Sequence, residues 1–174
     1  MQRIKWTDRR FNFDFTAGIY PEMIERIRGT PARLEDLFAG LSPETLTTQA
    51  DGRWSMQENA GHLLDLESLV DQRIDEYVAG NTALHAADMS NRKTFEASHN
   101  EVPVESILKA FRTARHGIVK RLEGFEADLF ARSALHPRLN VQMRLVDMLF
   151  FQAEHDDYHL ARISELKKLL MEQP

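Results

Sequence analysis

The sequence predicts an all-α protein, a four-helix bundle that follows an extended N-terminal arm. Four segments repeat apolar residues at the 3.6-residue period of an amphipathic helix, and no set of alternating segments indicates a sheet. The chain has 174 residues, of which 43% are hydrophobic, enough for one domain with an apolar core. We therefore predict a single domain over residues 1–174, with helices at about 21–40, 56–79, 103–123 and 141–171.

The arm is predicted from three phenylalanines near the N-terminus. Phe11, Phe13 and Phe15 alternate with polar residues, which is the period of an extended segment with one apolar face. The first helix follows, because Pro21 suits the first turn of a helix. After it, Gly29 supplies a helix stop, Thr30 a new N-cap and Pro31 a first-turn proline. We therefore expect the first helix to be interrupted in its middle.

The second helix has clear boundary signals. Ser55 and Glu58 form an S-x-x-E capping box at its start, and Gly80 supplies a stop at its end. His62 lies at the edge of the apolar stripe of this helix. The polar stretch that follows, residues 81–101, is too long for a tight turn between bundle helices. We expect that stretch to be a mobile loop.

The third and fourth helices complete the bundle. The third begins near Pro103, and the fourth extends from about Val141 to Leu170. One face of the fourth helix presents, in order, Leu145, Met148, Gln152, His155, His159, Ile163, Leu166 and Leu170. The segment QAEHDDYHLARI thus places two histidines, one turn apart, on a stripe that otherwise faces the core.

His155 and His159 permit three interpretations. A buried imidazole needs partners, so each ring could donate to a nearby carbonyl or carboxylate as a polar core residue. A helix rotated by about 100° would instead leave the pair on the surface. Histidines at i and i+4 can also bind one metal ion together. A metal site needs a third ligand from another helix, and His62 is the other histidine at the inward edge of a predicted helix.

The remaining histidines are not expected to contribute to a site. They lie in loops or among charged residues, are predicted to be solvated and without a functional role, and are His85, His99, His116 and His136. The HDDYH sequence also differs from the zinc-protease motif H-E-x-x-H, since Asp156 stands in place of the glutamate. Aspartate is one methylene shorter, and no suitably spaced ligand follows downstream. A zinc protease is therefore not predicted.

Composition excludes several classes of function. A formal net charge of −5, with scattered basic residues, disfavours nucleic-acid binding. The chain contains no cysteine, which excludes disulfides, thiolate zinc ligands and a cysteine nucleophile. We find neither a signal-peptide pattern nor an uncharged apolar run of about 18 residues. We therefore expect a cytoplasmic protein without membrane association.

Two motifs carry a resemblance to a known family. WSMQENAGHLLDLE contains His62, and HDDYHLARI contains the later pair. Together, in this order and on these helices, they resemble the DinB-like (DinB/YfiT) superfamily over most of the chain. The resemblance implies a DinB/YfiT-type four-helix bundle in which His62, His155 and His159 bind one divalent metal ion. It also implies a homodimer and a metal-dependent transferase, isomerase or hydrolase, since several members of the family use a small cellular thiol.

A three-histidine site of this kind would be open. Three neutral ligands leave at least one coordination position free, and helical spacing provides no fourth ligand. Imidazole suits several divalent metals, of which we expect zinc or nickel. The predicted function is therefore a metal-dependent enzyme that acts on a small molecule, with or without a small thiol. The alternative is a non-catalytic bundle, a stress-associated binding protein or structural dimer, in which the ion only ties two helices together.

Other candidate residues lie within a few turns of the histidines. One of three carboxylates could orient an imidazole through its second nitrogen, namely Asp65, Glu154 or Asp157. A general acid or base could come from Asp65, Asp157 or Tyr158. Two arginines could bind an anionic group of the substrate, namely Arg73 and Arg162. For each charged residue, a solvated position on an amphipathic helix is the alternative.

Overall fold

The bundle consists of one interrupted helix and three long ones. The computed structural model describes residues 3–50 and 52–171. The α-helices in these residues are α1 (Tyr20–Arg28), α2 (Thr30–Phe38), α3 (Pro43–Thr47), α4 (Met56–Ala79), α5 (Arg92–Glu96), α6 (Val104–Glu123) and α7 (Leu145–Met171). The α1/α2 pair packs against α6 and α7, which in turn pack against α4. The predicted four-helix bundle is confirmed, and none of the described helices is both long and apolar enough to cross a membrane.

Local signals set three of the predicted helix boundaries. The first helix is interrupted as predicted, because α2 restarts at Thr30 with a proline in its first turn. At the start of α4, the Ser55 hydroxyl accepts from the Glu58 N–H at 3.0 Å, and the Glu58 carboxylate accepts from the Ser55 N–H at 2.7 Å. Gly80 ends α4 with a φ of 73°, a left-handed conformation that glycine adopts without strain.

The linker between α4 and α6 folds onto α4 and does not form the loose loop that its composition predicts. It contains α5 and a short 3-10 helix, His99–Glu101. The Gln57 side chain of α4 donates to the carbonyl oxygens of His99 and Val102 at 2.5 and 2.7 Å. The His99 ring rests on Gly61, where an added Cβ would lie 2.2 Å from it. A polar segment can thus be fixed by side chains that reach its backbone acceptors, which hydropathy does not reveal.

A two-stranded antiparallel hairpin, β1 (Ser133–His136) and β2 (Val141–Arg144), precedes α7. The last helix therefore begins at Leu145, and the prediction of a helix from Val141 is wrong. Four residues are too few for a two-residue period to be distinguished from the first turn of a helix. Arg138, in the hairpin turn at residues 137–140, lines a cavity beside α7.

A buried ion network ties the bundle helices together. Arg115 of α6 is 1% exposed, and its guanidinium donates to Glu67 of α4 at 2.7 Å and to Asp156 of α7 at 2.6 Å. Asp156 also accepts from the Thr30 hydroxyl of α2 at 2.7 Å. Because both carboxylates are buried, they depend on Arg115 for charge compensation. Asp156 is therefore part of the packing of α7, which agrees with the absence of a zinc-protease motif.

The N-terminal arm is extended, as predicted, and packs along α7. The Phe13 and Phe15 rings contact Phe150, with centroid distances of 6.1 and 5.4 Å. Phe11 contacts Phe151 at 4.9 Å. The apolar face of the arm thus covers one side of the last helix. This packing brings the start of the arm close to the predicted histidine site.

Candidate metal centre

Three histidine rings meet between α4 and α7. His62 comes from α4, and His155 and His159 come from consecutive turns of α7. Their exposed fractions are 4%, 7% and 6%, which excludes a surface pair, and one ring nitrogen of each lies within 4.8 Å of the other two. The ring centroids are 4.6, 4.8 and 5.4 Å apart. Three imidazoles bound to one ion at zinc–nitrogen distances have centroids about 5 Å apart, so the rings fit a single metal ion.

Two of the rings are oriented through their Nδ1 atoms. His62 Nδ1 lies 3.0 Å from the Thr94 hydroxyl, and His159 Nδ1 lies 2.8 Å from the side-chain oxygen of Asn59. An amide oxygen only accepts, so His159 Nδ1 carries the proton and its Nε2 keeps a free lone pair. His155 Nδ1 is buried and has no hydrogen-bond partner in the described residues. An orphaned buried nitrogen fits a metal ligand better than it fits a polar core residue.

Burial keeps the three imidazoles neutral. It lowers the pKa of His62 to about 4, although the nearby Asp65 carboxylate opposes the shift. Burial also holds the pKa values of His155 and His159 well below 6.5, and repulsion from a neighbouring histidine adds to each shift. The neutral imidazole is the form that binds metal ions. The rings therefore present lone pairs without first having to lose a proton at pH 7.

A chain of hydrogen bonds supports His62 from behind. The Thr94 hydroxyl accepts from His62 Nδ1 and donates in turn to Asp65. His99 Nε2 donates to the same carboxylate at 2.8 Å. Burial raises the pKa of Asp65, but the hydrogen bonds from His99 and Thr94 outweigh it and leave that pKa below its usual value. Asp65 thus orients His62 through Thr94, and the chain requires Gly61 because a side chain there would displace the His99 ring.

The three rings form part of the wall of a cavity of about 550 Å³. Two tryptophans flank them: the Trp54 ring lies 4.7 Å from the His62 ring, and the Trp6 ring lies 4.9 Å from the His155 ring. Among residues 3–50 and 52–171, six basic residues line the cavity: Arg3, Lys5, Arg53, Arg73, Arg138 and Arg162. Two acidic residues of the same ranges also line it, Asp88 and Glu165. A basic, partly aromatic cavity in a protein of net charge −5 suits a small molecule with an anionic group.

Three of the predicted substrate or proton-transfer residues line this cavity. Arg73 is 5% exposed and donates to a linker carbonyl oxygen at 2.8 and 3.0 Å. Arg162 pairs with Glu165 at 3.6 Å and has one buried nitrogen without a partner in the part of the chain that the structure describes. Tyr158 also lies in the wall. The structure therefore brings these three candidates to the same cavity as the histidines.

Two acidic candidates lie elsewhere. Asp157 accepts from Arg33 at 2.6 Å and from Arg26, and Glu154 accepts from Arg26 at 2.6 Å. Both carboxylates thus face the α1/α2 pair. The prediction that Glu154 or Asp157 orients an imidazole is wrong, as is the prediction that Asp157 transfers a proton at the site, whereas Asp65, the third carboxylate proposed, lies behind His62. The physical reason is helix geometry, because residues one or two positions from a ligand do not share its face.

The remaining histidines divide into two groups. His85 and His116 are exposed, as predicted. His99 and His136 are 6% and 1% exposed, so the prediction that they are solvated is wrong. Both are buried by contacts between loops and helices that are distant in sequence, and no local sequence pattern predicts such contacts. Asn59, by contrast, lies three residues before His62 on α4, so helical spacing could have identified it.

Sequence comparison establishes the family. The model of the DinB superfamily matches residues 26–163, most of the chain. The chain belongs to the DinB superfamily. The resemblance carried by WSMQENAGHLLDLE and HDDYHLARI is therefore confirmed, and both motifs lie within the matched residues.

Two solved structures share the fold of this DinB protein. YfiT from Bacillus subtilis, described as "a probable metal-dependent hydrolase with an unusual four-helix bundle topology", aligns with a TM-score of 0.79 at 19% identity, over 92% of each chain. A mycothiol-dependent maleylpyruvate isomerase aligns with a TM-score of 0.66 at 9% identity, over 84% of this chain and 62% of that one. At these identities the likeness establishes the fold. A search of curated proteins found no significant match.

Proposed function

We propose that this DinB protein binds one divalent metal ion, zinc or nickel, through His62, His155 and His159, and uses the ion in catalysis. One observation carries the proposal. Three buried imidazoles face one another beside a cavity, and His155 has a buried nitrogen without a partner among the described residues. Both metals accept imidazole ligands readily.

The chain's own residues prepare the space around such an ion. A divalent ion held by three neutral ligands keeps an open position, where it would acidify a water molecule or a thiol and polarise a carbonyl oxygen. Asn59 and Thr94 fix the orientation of two imidazoles. Trp6 and Trp54 lie against the rings and limit the access of bulk water. Tyr158 in the cavity wall is the candidate for donating or accepting a proton.

The cavity and the structural neighbours support two classes of reaction. One neighbour is described as a probable metal-dependent hydrolase and the other as a mycothiol-dependent isomerase. We therefore propose hydrolysis of a small molecule, or transfer or isomerisation with the help of a small cellular thiol. The chain has no cysteine, so any thiol arrives as substrate or co-substrate. A cavity of about 550 Å³ is in the range that holds a small molecule.

We also propose a homodimer with a cytoplasmic location. The end of α7 leaves Leu169 and Met171 exposed, at 40% and 61%, and burial of such side chains against a second copy would be favourable. Light scattering at micromolar concentration tests this proposal, and the mass of a single chain would contradict it. Neither a membrane nor a nucleic-acid partner is proposed, in keeping with the net charge of −5.

The test of catalysis is turnover that depends on both the ion and Tyr158. Metal-loaded and metal-free protein are assayed with a panel of small esters and amides and with thiol-transfer substrates. The Tyr158→Phe variant should keep its metal and lose about 100-fold or more in kcat, the usual range for a positioned acid or base. Tyr20→Phe is the matched control, because Tyr20 stacks on Phe130 and does not line the cavity. Full metal content without turnover on any substrate would favour the non-catalytic bundle.

A further inference from the structure

The hairpin before α7 places a hydrogen-bond donor in the cavity wall with nothing to donate to. His136 is 1% exposed and lines the cavity. Its Nδ1 accepts from the Leu139 N–H at 3.2 Å, so the proton of the neutral ring is on Nε2. His136 Nε2 is buried and has no partner within the described residues. A buried N–H donor without an acceptor is unfavourable, and a ligand in the cavity would supply the acceptor.

Two cations lie beside this donor without a carboxylate partner. Arg138, in the hairpin turn, has a buried Nη2 atom that forms no hydrogen bond in the described part of the chain. Its guanidinium lies 5.3 Å from the centroid of Phe151 and 5.8 Å from that of Trp6. Arg73 donates to a backbone carbonyl oxygen only. Among the described residues, neither arginine forms an ion pair with a carboxylate, in contrast to Arg115 in the bundle core.

Burial lowers the pKa values of the three basic side chains, and repulsion adds to the effect at Arg73 and His136. Burial lowers the pKa values of Arg73 and Arg138. Burial, followed by the charges of Arg73 and Arg138, lowers the pKa of His136 to about 4. The imidazole is therefore neutral at pH 7 and acts as a donor beside two positive charges. Arg73 is buried and Arg138 half-buried, and the Glu76 carboxylate offsets the charge of Arg73 only in part. A bound anion would compensate the remaining charge.

We propose that His136, Arg138 and Arg73 form an oxyanion subsite, which binds a carboxylate or phosphate group of the molecule that occupies the cavity. His136 Nε2 and Arg138 Nη2 donate to the anion, and Arg73 contributes charge from behind. The inference rests on the proposed function in one respect, that the bound molecule is the substrate of the metal centre. Arginine and an imidazole N–H are suited to such a group because charge-assisted hydrogen bonds are short and strong.

The position of the subsite also defines the shape of its ligand. The Arg138 guanidinium lies 5.8 Å from the Trp6 ring centroid, and the His155 ring centroid lies 4.9 Å from it. The subsite and the metal centre thus both adjoin Trp6, within the reach of one small molecule. Trp6 and Phe151, whose ring centroids are 5.0 Å apart, form an apolar part of the cavity wall beside them. The substrate class is therefore a small molecule with an anionic group at one end, a short apolar spacer and the reacting group at the other end.

The test uses three probes that share one apolar tail: hexanoate, hexyl phosphate and the neutral hexanamide. Each is titrated into the metal-loaded wild-type protein by calorimetry, and the two tryptophan indole N–H signals are followed by NMR. We expect one or both anions to bind and to shift the Trp6 signal, and hexanamide to bind at least tenfold more weakly. The tighter of the two anions identifies the group as carboxylate or phosphate. Equal binding of all three probes, or of none, would overturn the subsite.

Variants locate the binding to Arg138. Arg138→Gln should weaken the anion about tenfold or more, the usual effect of losing a hydrogen bond to a charged group, and Arg138→Lys should restore part of the affinity. Arg132→Gln is the matched control, because Arg132 is an exposed arginine next to the same hairpin. Circular dichroism confirms that each variant is folded. Anion binding that is equally strong in Arg138→Gln would contradict the assignment.

The metal content of every sample separates this inference from the proposed function. If wild-type protein binds no metal but binds the anions in an Arg138-dependent way, the proposed function fails and the subsite stands. If the protein binds metal but the affinity for the anions is unchanged by the Arg138 substitution, the subsite fails and the metal proposal stands. Both results are measured on the same preparation, so the two failures are distinguishable.

Discussion

Acidification should destabilise the metal-free protein steeply between pH 7 and pH 5. His62 has a pKa of about 4 in the folded protein, and the pKa values of His155 and His159 are held well below 6.5. In the unfolded chain the same side chains regain an ordinary pKa of about 6.5. As the pH falls through that value, the unfolded state binds protons that the folded state does not bind. The free energy of unfolding is therefore highest above the unfolded-state pKa, and it decreases as the pH falls from there towards the folded-state pKa.

The size of the loss follows from the unfolded-state pKa alone, as long as the folded rings stay neutral. One histidine with an unfolded pKa near 6.5 costs about 1.9 kcal/mol between pH 7 and pH 5. The three site histidines together should therefore cost about 5–6 kcal/mol. His136, whose folded pKa is also about 4, adds a similar increment of about 2 kcal/mol. Such a loss is comparable to the whole stability of many domains, about 5–15 kcal/mol.

Urea denaturation in the presence of chelator measures this loss at pH 7, 6 and 5, a range in which ordinary carboxylates stay ionised. The variant His155→Leu removes one of the buried imidazoles, so its loss should be smaller by about 2 kcal/mol. His116→Gln removes an exposed histidine and should retain the full loss. Metal-free protein whose unfolding free energy changes by less than about 1 kcal/mol between pH 7 and pH 5 would refute the reasoning.

Two further substitutions test the packing around the site. Arg115→Ala leaves two buried carboxylates without compensation and should cost about 3–5 kcal/mol in urea denaturation, whereas Arg112→Ala, which breaks an exposed ion pair, should cost less than about 1 kcal/mol. Gly61→Ala should displace His99 and weaken metal binding about 10–100-fold, the usual effect of losing support behind a ligand. Gly117→Ala, another helical glycine with no atom within 4 Å of an added Cβ, should leave metal affinity unchanged; equal affinities in the two glycine variants would contradict the role of the His99 contact.

Features encoded by a few neighbouring residues could be predicted from the sequence. Two such features are the capping box of Ser55 and Glu58 and the break before Thr30. Both depend on contacts within one helical turn, so the sequence alone predicts them. The three histidines of the candidate metal centre could be proposed because helical spacing puts polar rings on a core-facing stripe. The extended arm was equally visible from its alternating phenylalanines.

Features that depend on distant parts of the chain could not be predicted in this way. The burial of His99 requires the linker to dock on Gly61, and Thr94 reaches His62 only because that linker folds back over α4. His136 is buried by the hairpin that replaces the predicted first turn of the last helix. In each case a long-range contact overrides a polar local pattern. Of the three residues of the oxyanion subsite, the sequence therefore predicts only Arg73 as an anion-binding candidate, and His136 and Arg138 emerge from the structure.

Elemental analysis of the protein purified without chelator tests the central proposal most directly. We predict close to one divalent ion, zinc or nickel, per chain, because three neutral ligands converge on one point. Replacement of His62, His155 or His159 by alanine should each reduce occupancy steeply while the fold persists, as judged by circular dichroism. Variants that keep their metal, or wild-type protein that binds none even when supplied with it, would contradict the metal centre and leave the histidines as polar core residues.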